Sequence, residues 1–106
     1  MIYNDWDKEL IILANEMDIK VKHFMSSYSN MGGMTVAYYH PRGFKVMELA
    51  TSICNVKDQF DKKLGRILAI RHFLDGNTIL VPIDNKMNTV NFLNDMFSDY
   101  VEEVFE

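Results

Sequence analysis

Little in this chain of 106 residues suggests covalent chemistry. It has one cysteine, Cys54, so no internal disulfide can form, and a reducing compartment is its natural home. No apolar run approaches the ~18 residues that a membrane span needs, so no membrane association is expected. The first residues, Met1 to Asp5, lack the basic start of a secretion signal, and a cytoplasmic protein is expected. His23, His40, His72 and Cys54 have no ligand neighbour at the short spacing of a zinc motif, so no metal is expected. No nucleophile elbow is present, and Gly32-Gly33 lacks the strand–glycine–helix setting of a phosphate loop. No catalytic residue and no cofactor can be nominated, and enzyme is the least supported class.

What is present is a globular composition, 48% hydrophobic and 25% charged, with the length of one domain spanning residues 1–106. The net charge of −4 argues against a general nucleic-acid binder. Its distribution is uneven. From position 84 onward a single basic residue, Lys86, stands against six carboxylates, whereas residues 57–75 are net basic.

Asn4 or Asp5 can cap a first helix running to about Met17, with Trp6, Leu10, Leu13 and Met17 on one face. From Ile19 to Ser26 the period changes to two, which reads as a strand. Ser29 to Gly33 is a turn cluster. A second strand is expected over Thr35 to His40, a tight turn over His40-Pro41-Arg42-Gly43, and a third strand over Phe44 to Ile53. A central helix follows, capped by Asn55 with Asp58 three residues on, ended by Gly76, and striped with Phe60, Leu64, Ile67, Leu68 and Leu74. Thr78 to Ile83 gives a fourth strand, at an edge or end because Pro82 cannot donate to a ladder. A last helix starts near Asn88 or Thr89, with Val90, Leu93, Phe97, Val101 and Val104 on its apolar face. The order αβββαβα predicts an α+β fold, a mostly antiparallel sheet with helices packed on one face.

Three surfaces are candidates for binding. Lys62, Lys63 and Arg66 fall outside the central helix's stripe and can meet phosphates, or form ordinary helix ion pairs such as Asp58 with Lys62. Asp95, Asp99, Glu102 and Glu106 share one face of the last helix, with Glu103 beside it. Carboxylates at a helix C-terminus oppose the macrodipole, so they mark either a solvated end or a surface that meets a basic groove in a partner protein. Tyr38 and Tyr39 point to opposite faces, so one of them can join an exposed aromatic patch. Arg71 lies within the apolar stripe, where a guanidinium needs a carboxylate such as Glu48 or an interface.

Two resemblances add expectations. The order over residues 5–75 resembles a double-stranded-RNA-binding domain, which implies phosphate contacts by Lys62-Lys63 at the start of the second helix, although Asp58 and Asp61 interrupt the basic run. The run Cys54-Asn55-Val56-Lys57-Asp58-Gln59-Phe60-Asp61-Lys62-Lys63-Leu64-Gly65-Arg66-Ile67-Leu68-Ala69 resembles a segment of small bacteriophage accessory proteins, the host-takeover and anti-defence factors that include anti-CRISPR proteins. That likeness implies a non-enzymatic inhibitor whose partner is a host protein or ribonucleoprotein complex. The alternative is a small nucleic-acid-binding domain. Either a monomer or a homodimer joined at a strand edge is compatible with the pattern.

Overall fold

Met31–Tyr39 is buried almost from end to end, and that single strand explains the layering. A strand covered on both faces needs something apolar above and below it. The computed structural model describes residues 5–25, 31–41, 43–83, 88–89 and 91–97. Within them the order is α1 (Asp5–Glu16), β1 (Lys20–Phe24), β2 (Met31–Tyr39), β3 (Val46–Gln59), α2 (Lys62–Leu74) and β4 (Ile79–Pro82), followed by helical residues 91–97. The strands form one antiparallel sheet in the order β1-β2-β3-β4. The expected α+β class and order are the observed ones.

The helices divide between the two faces. Ala37 and Ala50 join Ala14, Ile19, Ala69, Ile70 and Phe73, so α1 and α2 share one face as expected. Their sequence neighbours Val36 and Leu49 point the other way, into a cluster with Met34, Tyr38, Met47, Leu93 and Phe97. The helical residues 91–97 therefore cover the opposite face. One layer of helices would have left Met34, Val36, Met47 and Leu49 in water, at about 1.5–3 kcal/mol for each large side chain.

Helix ends follow local chemistry. Asp18 takes a left-handed φ of 59°, and Ile19 N–H and Asp18 N–H donate to the carbonyls of Ala14 and Asn15, closing α1. Gly76, at φ 84°, ends α2 the same way, with bonds from Asn77 and Gly76 to His72 and Phe73. The buried side of α1 is rotated from the expected one. Asp7, Leu10, Ile11 and Ala14 face inward, while Leu13 and Met17 are exposed.

Three expectations are corrected. Asn55 does not cap the central helix; its Oδ1 accepts the Lys57 N–H in a local turn, and β3 continues to Gln59. The true cap is Asp61, whose carboxylate accepts the N–H groups of Lys63 and Leu64, so the helix begins at Lys62. Met31 to Gly33 belong to β2, not to a turn. The ladder jumps there from Gly33↔Cys54 to Met31↔Gln59, leaving residues 55–58 as an excursion of β3. Gly33 is required at this point, because a Cβ would come 2.5 Å from the Phe60 ring at a φ of 153°. Finally, the tight turn sits one residue later than expected. Phe44 N–H donates to the Pro41 carbonyl, and Gly43 supplies the positive φ of 84° at the third position.

The two edges of the described sheet differ. Ile83 N–H donates to Lys45, which sets the alternation so that Leu80 and Pro82 turn their backbone outward. Proline has no N–H, so the outer side of Ile79–Pro82 offers only the N–H of Leu80. β1 has no proline and is edged with lysine instead.

Candidate functional site

The start of α2 lies over β1, and this junction gathers the positive charge. Thr35, fully buried on β2, holds His23 of β1 through a 2.9 Å contact between its Oγ1 and the ring Nδ1. The His23 ring also meets Phe60 edge-on, with centroids 5.8 Å apart. Gly65 brings α2 down onto Thr35, where any Cβ would lie 2.3 Å from the hydroxyl oxygen. The helix thus sits close enough for its cations to act on the ring. His23 is held below the usual imidazole value of 6.5, first by burial, then by the charges of Arg66, Lys62 and Lys22. Lys62 and Arg66 are exposed, and the Lys22 ammonium lies 5.6 Å from the Phe24 ring centroid.

The expected basic group is therefore joined by Lys22 and His23, which the sequence reading did not include. Alternation in Lys20-Val21-Lys22-His23 was the available signal, but it could not reveal that α2 crosses above. Lys63 is exposed as well, at the second helical position. The expected Asp58–Lys62 helix ion pair does not form, since Asp58 lies in β3, ahead of the helix.

Arg71 finds a carboxylate, but a different one. Its Nη2 donates to Asp7 Oδ1 at 2.5 Å, and Asp7 is wholly buried. Glu48 instead accepts the hydroxyl of Thr78 at 2.6 Å. Tyr38 is only 7% exposed and belongs to the core, so it is no part of an exposed aromatic patch. Tyr39 lies on the other face, half-buried against the helices. The faces alternate as expected, yet both faces are covered.

The other histidines are taken up by structure. His72 Nδ1–H donates to the Thr51 carbonyl at 2.8 Å, tying α2 to β3. His40 Nε2–H donates to Phe44 O at 2.7 Å and shares its Nδ1 with the Thr89 hydroxyl at 3.0 Å. Cys54 points its thiol at the carbonyls of Asn55, Asp58 and Gln59, 3.6 to 3.7 Å away. Burial and the Asp58 charge push that thiol up, against a weaker opposing bond from the Gly32 backbone. Among the described residues no group of three or more His, Cys, Asp or Glu is placed to hold a metal. None of their helices is long and apolar enough to cross a membrane. Of the acidic series, Asp95 is exposed, while Asp99, Glu102, Glu103 and Glu106 lie outside the described residues. Comparison with known proteins finds no matching family model, curated protein or solved structure.

Proposed function

We propose that this chain is a non-enzymatic binding protein that presents charged surface to another macromolecule, as an inhibitor of a host defence or nucleic-acid-processing complex. One observation supports the binding role: Lys62 and Arg66 stand exposed on α2 over His23 of β1, and Lys22 lies at the same edge on the sheet's other face. Lys62 and Arg66 have no ion-pair partner among the described residues, and cations left together without carboxylates favour an anionic partner. The anti-defence role is suggested by the resemblance of residues 54–69 to phage accessory proteins, and the acidic run of sequence that begins at the exposed Asp95 is a second candidate of opposite sign. Capture from host lysate with mass-spectrometric identification tests the reading. A stoichiometric partner lost on K62E/R66E, or on reversing Asp99, Glu102 and Glu106 to lysine, supports it. A partner retained by both variants removes both surfaces from the account.

A nucleic-acid-binding domain is the second reading. It is favoured by α1 and α2 lying together on one face of the β1–β3 meander, with Lys62 and Lys63 at the first two helical positions. It requires RNA or DNA affinity that falls steeply with salt. A flat titration at ~50 mM salt rules it out.

A further inference from the structure

Cations flank the β1 edge on both faces of the sheet. Lys20 and Lys22 pair with Tyr38 and Val36, so they stand on the face of the Met34–Val36–Tyr38 cluster. Val21 and His23 face the helices, beneath Lys62 and Arg66. On that helix side a groove of about 480 Å³ runs between α1, β1 and α2, its wall formed by apolar Ile19, Val21 and Ile70 and by polar Asn15, Lys20 and Arg66. Alternate residues of β1 turn both N–H and C=O outward, and no proline interrupts them. The edge is thus a backbone template beside a groove of mixed apolar and polar lining, with the side chains of Lys20 and Lys22 on the sheet's other face.

We propose that β1 receives an extended acidic segment of a partner protein as an additional strand. The side chains of that segment alternate, apolar ones entering the groove by Val21 and Ile70, carboxylates meeting Lys20 and Lys22 on the opposite face. The proposal rests on the binding role argued above and specifies its surface and partner. Self-pairing through β1 is opposed, because Lys20 and Lys22 would meet their own copies. A single-stranded nucleic acid would need exposed rings for its bases, and the aromatic rings beside this edge, Phe24 and Phe60, are buried at 7% and 9% exposure. The β4 edge, with one outward N–H, is the poorer template.

The test uses the full chain and a fluorescent seven-residue peptide of alternating glutamate and valine. It is compared with its block isomer, in which the same residues are grouped, and with a single-stranded and a duplex oligonucleotide. The alternating peptide is expected to bind at least ~10-fold more tightly than the block isomer and to slow amide exchange at the outward-facing residues of β1. K20E/K22E, checked for folding by circular dichroism, is expected to weaken it by about 10-fold, the effect of two exposed ion pairs. Equal binding of the two isomers, or unchanged β1 exchange at saturation, overturns strand addition. Oligonucleotide binding without peptide binding overturns it too and transfers the cations to nucleic acid. Failure of every polyanion to bind at low salt overturns the binding role itself.

Discussion

Arg71 on α2 donates to Asp7 on α1 at 2.5 Å, and the two differ sharply in environment: the carboxylate is 0% exposed, the guanidinium side chain 39%. This contact joins the two helices that cover one face of the sheet. Removing Arg71 takes one partner from a buried carboxylate, which costs more than the pair itself contributes. Arg71→Met is expected to lower stability by about 3 kcal/mol, and the double variant with Asp7→Asn by clearly less. Urea denaturation of the four proteins gives the coupling directly. Strict additivity would show that the contact does not join the helices energetically.

Gly65 opposes the usual helix rule. Glycine to alanine in a helix interior normally stabilises by up to ~1 kcal/mol. Here the new methyl would meet the Thr35 hydroxyl at 2.3 Å, and Thr35 is fully buried. Gly65→Ala is expected to destabilise by roughly 1–3 kcal/mol and to disturb the His23 ring resonances. A variant more stable than the parent would show that α2 sits further from β2.

Acid should weaken the fold through His23. Its folded pKa lies below the usual 6.5, so the unfolded chain takes up the proton first as the pH falls. Stability is therefore expected to decline from about pH 6.5 down to the lowered folded value, then to stop falling on this account. His23→Gln should flatten that part of the profile. Arg66→Glu should raise the His23 midpoint in an NMR titration, since Arg66 is the largest of the charge effects on the ring. An unmoved midpoint would separate α2 from β1 electrostatically.

Cys54 should alkylate slowly at pH 8, because the reactive thiolate is disfavoured by burial and by Asp58. Asp58→Asn is expected to speed the reaction a few-fold, and urea to speed it further. A rate equal to that of a small free thiol would contradict the carbonyl environment seen for the sulfur.

Much of the architecture could be read from period and punctuation. Gly76 and Pro82 stand where their chemistry predicts, and the shift from helical to alternating pattern at Ile19 marks the start of β1 to within a residue. The failures share a cause. Asn55 and Asp61 are both competent caps, and only the return of the ladder at Met31↔Gln59 decides between them. Arg71 advertised a carboxylate partner, but Asp7 is 64 positions away and looks like an ordinary first-turn acid. The basic group was visible on α2, whereas its extension through Lys22 and His23 depends on which strand passes beneath. Burial of Tyr38 depends on the second apolar layer, which one-dimensional alternation cannot distinguish from solvent.

Alanine at positions 37, 50 and 69 lets α2 rest against β2 and β3 with little between them. Side-chain volume there consequently governs how far Lys62 and Arg66 stand above His23 of β1. Enlarging one of those methyl groups would act as a shim, lifting α2 and widening the groove beside β1 without altering a single charge.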